Sequence, residues 1–432
     1  MKMNKNVHTR ETGTSTHRTS THQHMKHILI SIFTLMVICG QAQQRTITLD
    51  QAIEETLQNN GSIKASQYHL EARKQLQKTS FDLPKIDVNL QYGQYNSYAS
   101  DNNITVTQTI PFSSFGSQGA LNRALTTSAT LEKSVSENEI IFQVKQVYFQ
   151  LAFAKARRLL LLRQDTLYEG FMKAATLRYR TGETYLLEQT TAQSQRNEVT
   201  MQLQQNQAEI FRLQSQLKTL TQGQELPDIA SSELAPIRFD YEMDTTSYKD
   251  NPSIALATQQ VEVAHREKKF LGAKAAPDLH IGFFTQTLTG APNLETGQLA
   301  SSSERFTGFI VGLSIPLWYA PHDGRVRSAE LNKRASESNL NYYQQSLQNQ
   351  LQQAGQMFQA HKNNLQYYLS SSLPNADLIL KQAQIAFQQG EIGYPEYLLG
   401  IRNAIAIKAN YLRTLNEYNQ SVIYIQYLTG KK

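Results

Sequence analysis

The chain is written twice, and that duplication limits its possible folds more than any other feature. The segment NNGSIKASQYHLEARK, from Asn59, returns as DNPSIALATQQVEVAHRE from Asp250, setting Asn60 against Asn251, Ser62 against Ser253, Ile63 against Ile254 and Glu71 against Glu262. LPKIDVNLQY parallels APDLHIGFF, TIPF at Thr109 parallels SIPL at Ser314, and LNRA at Leu121 parallels LNKRA at Leu331. The series closes on RYRTGETYLLEQ (178–189) and FQQGEIGYPEYL (387–398), which set Gly182, Glu183 and Glu188 against Gly390, Glu391 and Glu396 at one constant offset. Matches in the same order mean one architecture built twice. The chain divides into a leader, 1–42, a first unit, 43–224, a connector, 225–246, and a second unit, 247–432. Each unit has the same grammar. A helix (45–82; 247–274) leads to two short strands (85–96 and 103–113; 277–289 and 305–317), then a very long helix to the G-E signal and a return helix.

The formal charge of +6 belongs mostly to the leader. Residues 1–42 hold Lys2, Lys5, Arg10, Arg18 and Lys26 against Glu11. The rest therefore carries 37 basic (42 − 5) and 35 acidic (36 − 1) groups, which is no nucleic-acid footprint. MKHILISIFTLMVICGQA, Met25 to Ala42, has a basic start, an apolar run and a small-x-small end, the pattern of a secretory signal peptide. Residues 1–24 precede the expected true start at Met25. Cleavage after Ala42 removes Cys39, and an acylated Cys39 would want a small residue where Ile38 stands. Beyond Ala42 no apolar run reaches the ~20 residues of a membrane helix, so any membrane contact falls to strands or surface.

The strands alternate with period two. Val88 and Leu90 stand between Asp87, Asn89 and Gln91; Val106 lies between Thr105 and Thr107. Ile281 and Phe283 flank Gly282, and Val311 and Leu313 flank Gly312. Alternation over about ten residues gives a strand with one apolar and one polar face. In an exported chain, small polar residues on one face and aromatics near strand ends match a membrane barrel, whose strands need ~9–11 tilted residues. The lipid-facing candidates are Val88, Leu90, Val106, Ile281, Phe283, Val311 and Leu313. Four strands cannot close a barrel, and an open edge in lipid leaves backbone groups unpaired. Several copies must share one; the smallest barrels have about eight strands.

From 117 to 179 and from 326 to 387 the pattern stays helical for roughly 60 residues, about 90 Å each. Leu347, Leu351, Ala354, Phe358, His361, Leu365 and Tyr368 alternate steps of four and three, a supercoil seam. Gln-rich faces flank it, as helices walling a water-filled tube require. Pro374, opposite Thr166 in the first unit, predicts a bend in the second long helix alone.

Gly182 and Gly390 predict helix ends in the left-handed conformation, hence hairpin tips. Glu183 and Glu391 suit helix-start positions, and Glu188 and Glu396 recur six residues after each glycine. The duplicated strand pairs ending in IPF and IPLW, the long helices and these tips resemble the TolC family of outer-membrane efflux channels over about residues 45–430. The likeness is nearest to the branch that works with cation- and drug-efflux pumps of the resistance-nodulation-division type. It implies a mainly α fold with a small β part, trimerising into a 12-stranded β-barrel and an α-helical periplasmic tunnel. The implied protein is a passive exit channel in the outer membrane, with an inner-membrane pump and a periplasmic adaptor as partners. In that family an acid six residues after the tip glycine lies at the pore gate, matched here by Glu188 and Glu396. The family's tip arginine and second acid are replaced by Ile392 and Leu399, so a three-glutamate ring is all that carries over, with Arg178, Arg180 and Arg402 as candidate partners. Crowded like charges at a constriction favour cations. The chain has no phosphate-binding Gly-x4-Gly-Lys loop, no Ser-His-Asp arrangement and no metal spacing among His69, His265, His280, His322 and His361. No enzyme activity and no cofactor is therefore expected. Two rival readings fit the same residues: the exit duct of a type I protein secretion system, and a soluble periplasmic coiled-coil scaffold whose strands pack a globular cap.

Overall fold

The computed structural model describes residues 46–96, 98–229, 234–240 and 246–431. The leader expected at 1–42 lies outside them, as does part of the connector. All elements below belong to the unit Ile47–Lys432. The chain is mainly helical with a small antiparallel sheet.

The first helical region is two helices, not the single one expected over 45–82. α1 (Leu49–Asn59) begins in a capping box, in which the Thr48 hydroxyl accepts from Gln51 N and the Gln51 side chain accepts from Thr48 N. Asn60 is extended and caps α2 (Gly61–Leu76), its Oδ1 accepting from Ser62 N at 2.9 Å. A 3-10 turn, Gln77–Phe81, leads to the sheet. The repeated Asn-x-Ser-Ile has a mechanical reason. Asn60 is buried and donates its amide to Leu220 O at 3.1 Å. Asn251 caps α5 (Pro252–Ala273) on Ser253 N at 2.8 Å and donates to Tyr427 O and Leu428 O at 3.1 and 3.0 Å. Each asparagine caps one helix and satisfies carbonyls at the C-terminal end of another, groups that a helix end leaves orphaned.

Four strands, β1 (Asp87–Gly93), β2 (Asp101–Ile110), β3 (Asp278–Gln286) and β4 (Phe306–Ser314), form one antiparallel sheet in the order β1-β2-β3-β4. Both units contribute two, and β1 and β4 are its edges. The strands are shorter than expected at most ends. Gly93, at φ +143°, ends β1, and Gln286 is the last β3 residue before a polar loop.

α3 (Phe112–Arg180) runs 69 residues without interruption, about 100 Å at 1.5 Å per residue. α4 (Leu186–Thr221) returns beside it. In the second unit α6 (Ala320–Tyr367) passes through a π-helical turn, Tyr368–Ser372, into α7 (Leu373–Gln388), and α8 (Tyr394–Thr429) returns. The interruption expected at Pro374 falls one turn earlier. Proline offers no N–H to the preceding turn, and the ladder widens so that Leu373 N donates to Tyr368 O.

α3 packs on α4, α5 and α8, and α6 on α5 and α8. Three buried apolar clusters lie along these helices rather than one core. Ala52, Ile63, Val144, Leu151 and Leu217 form the first; Leu351, Phe358, Leu415, Val422 and Leu428 form another. The third joins the two hairpins near their turns, with Phe171 set edge-on to Tyr397 at 4.8 Å and Tyr397 stacked on Phe387 at 4.4 Å. Of the expected seam, Leu351, Ala354, Phe358 and Leu365 are buried.

Candidate functional site

Two regions carry the functional candidates: the sheet and the hairpin turns. In an antiparallel sheet, directly paired residues share a face. Val88 pairs with Val106, Val106 with Phe283 and Phe283 with Phe309. Ile281 pairs with Val311 and Leu279 with Leu313; toward the loops, Leu90 pairs with Ile104. All seven lipid-facing candidates therefore stand on one face. That face is open: Val88 is 68% exposed, Phe309 85% and Val311 77%, while Leu90, Ile281, Phe283 and Leu313 are also exposed and Val106 is half-buried. Among the described residues no globular cap covers it, contrary to the scaffold reading.

The opposite face is polar and tightly fitted. The His280 ring bonds the Thr109 hydroxyl at 2.9 Å and the Ser314 hydroxyl at 2.5 Å. Gly308 lies under the Phe284 ring, where a Cβ would meet ring carbons at 2.6 Å. Exposed aromatic and apolar side chains cluster at both strand ends. Phe81, Phe112, Trp318 and Tyr319 lie toward the helices, and Tyr92, Tyr95 and Tyr98 toward the loops. Asp101, fully buried, accepts from the Thr287 hydroxyl and Thr289 N and so anchors the β3–β4 loop to β2.

The two hairpin turns are built alike. Gly182 and Gly390 have φ of +78° and +76°. Gly182 N donates to Tyr179 O and Glu183 N to Arg178 O at 3.1 and 2.8 Å; Gly390 N donates to Phe387 O and Glu391 N to Ala386 O at 3.2 and 2.8 Å. This is the same Schellman closure twice, each glutamate supplying only its backbone N–H.

The acids six residues on differ. Glu188, in the first turn of α4, accepts from Arg178 Nη1 at 3.1 Å and from the Thr184 hydroxyl, and its side chain is only 13% exposed. Glu396, in the first turn of α8, is exposed and forms no ion pair among the described residues. The cause is in the sequence, since Ala386 and Ile392 hold the places of Arg178 and Thr184. Of the three candidate arginines only Arg178 meets a tip acid; Arg180 and Arg402 do not. Spacing alone missed this difference, although the missing counterpart residues were a readable signal. Tyr394, buried beside Glu188, has its phenol pushed up to about 12, first by burial and then by the Glu188 charge.

No protein-family model matches the chain, and no curated protein matches it by sequence. Solved structures do match in fold. CusC, described as a transmembrane channel, is 15% identical with a TM-score of 0.73, covering 90% of this chain and 93% of that one. The CmeC outer-membrane channel of Campylobacter jejuni is 15% identical at 0.70, covering 89% and 85%. The outer-membrane protein VceC of Vibrio cholerae is 15% identical at 0.72, covering 88% and 96%. Across nearly its whole described length, this chain has the TolC-like fold of these outer-membrane channels.

Proposed function

We propose that three copies of this chain pool their sheets into a twelve-stranded barrel in the outer membrane and continue as an α-helical tunnel through the periplasm. In this assembly the units 43–224 and 247–432 are duplicated halves, each giving two strands and one long hairpin. The sheet carries the proposal: it has two unpaired edges and an uncovered apolar face. With the up-down-up-down order, β4 of one copy runs antiparallel to β1 of the next, so head-to-tail addition closes a cylinder without a bare edge. The exposed rings at both strand ends suit the aromatic girdles of such barrels.

The protein serves as the passive exit of a tripartite efflux system, carrying small molecules or metal cations loaded by an inner-membrane pump through a periplasmic adaptor. The hairpin turns form the periplasmic mouth. There Glu396 of each copy supplies a ring of three carboxylates, while Glu188 is held by Arg178 in its own hairpin. Planar-bilayer recording of the purified protein tests this reading. Stepwise conductances with cation preference are expected, and silent bilayers would contradict it.

A further inference from the structure

The acids of the four strands, Asp87, Asp101 and Asp278, all stand on the polar face of the sheet, yet a cation lies on the apolar one. Arg305, directly before β4, lays its side chain back across β3 to β2. Its Nε donates to Thr285 Oγ1 at 2.9 Å, its Nη2 to Thr285 O at 3.2 Å and its Nη1 to Asn102 Oδ1 at 2.9 Å. Thr285 pairs with Ile104 and Asn102 with Tyr92, so these partners share the face of Val88 and Phe283. Arg305 is exposed and forms no ion pair among the described residues, its sequence neighbour Glu304 included.

The level of this cation along the strands matters. Arg305 lies four residues beyond Phe309 toward the loops, and Phe309 belongs to the middle row of the face. At about 3.4 Å per residue and a tilt of about 35–45°, that is about 10 Å from mid-bilayer, inside the roughly 12 Å half-height of a barrel's apolar band. Long cationic side chains at such a level reach outward to the headgroups. This one is tied inward by Thr285. Three of its five N–H groups are used, which leaves one on each terminal nitrogen.

A charge held at the edge of hydrocarbon is stable when an opposite charge meets it. In the barrel the next copy brings none, because its β1 carries Val88, Leu90 and Tyr92 on this face and residues 93–100 contain no acid. The anion then comes from the bilayer. Phosphate is the anion that outer-leaflet lipids place at this depth, and a guanidinium fork suits it. Exposed Tyr92, opposite Asn102, adds a hydroxyl.

We infer that Arg305, with Asn102, Thr285 and Tyr92, forms a site on the outer wall of the barrel for the phosphate of an outer-leaflet lipid. The inference rests on the barrel reading.

The test is native mass spectrometry of the detergent-extracted protein titrated with phosphorylated lipid A, with the same lipid dephosphorylated, and with inorganic phosphate. Arg305→Gln and Asn102→Ala are run beside the wild type. The wild type should retain one phosphorylated lipid per chain in preference to the dephosphorylated form. Arg305→Gln should weaken binding by about 10-fold or more, the loss expected for a charged hydrogen-bonded pair, and Asn102→Ala by less. If Arg305→Gln fails to assemble, Asn102→Ala decides. Equal retention of the two lipids, or undiminished binding in both assembled variants, overturns the site. Displacement of the lipid by equimolar inorganic phosphate overturns its assignment to a lipid. A wild type with no three-chain species overturns the barrel reading and the site with it, whereas three chains without bound lipid overturn the site alone.

Discussion

Val88→Arg tests the lipid-facing assignment with a magnitude taken from the sheet itself. Val88 begins the row Val88–Val106–Phe283–Phe309. One row of the same face, Leu90–Ile104, lies toward the loops, and two, Ile281–Val311 and Leu279–Leu313, lie toward the helices. The Val88 row is thus central along the strands, near mid-bilayer in the proposed barrel. An arginine there costs about 2–4 kcal/mol per chain, or about 6–12 kcal/mol when three copies carry it. Asn89→Arg is the matched control, one residue away on the polar face. Refolding each variant into lipid vesicles across a guanidinium series would measure both. Val88→Arg should fold in low yield at a much lower midpoint, and Asn89→Arg close to wild type. Equal behaviour of the two would show that neither face meets lipid, and the barrel reasoning would fail.

Glu396→Gln should reduce cation preference in bilayers, whereas Glu188→Gln should leave it nearly unchanged and loosen the first hairpin. The reverse ranking would exchange their roles. Gly182→Ala and Gly390→Ala meet no neighbour within 4 Å, so each should cost only the backbone penalty of the left-handed conformation, about 1–2 kcal/mol. Hydrogen exchange at the turns would register that cost, and unchanged protection would count against these caps. Burial, and then the Glu188 charge, raise the Tyr394 phenol in the folded chain to about 12 from the ordinary 10.0. Its contribution to stability is therefore complete below pH 10 and lost as pH rises toward 12. Tyrosinate absorbance should show a late-titrating phenol that Tyr394→Phe removes; no difference would place Tyr394 in water.

Much of the architecture could be read from periodicity. Val88 and Leu90 alternate with Asp87 and Asn89 because one strand face is apolar. The α3 pattern persists for 69 residues because nothing in it breaks a helix. The glycines gave the turns, since only a left-handed residue closes both Schellman loops. Less legible was whatever depends on two residues meeting. Glu188 and Glu396 look equivalent in spacing, but Arg178 reaches one across the turn and Ala386 cannot reach the other. Pro374 announces a missing donor without fixing whether the helix bends or widens, and the ladder widens into a π turn just upstream. The break at Asn60 is written in Asn-Gly, but apolar periodicity continues on both sides of it and masks it.

The central claim is that one copy leaves β1 and β4 unpaired and that only a ring of copies satisfies them. Native mass spectrometry of the detergent-extracted, leader-free protein tests this most directly. The account predicts a species of three chains that does not survive transfer to detergent-free buffer; a stable, soluble single chain would contradict it.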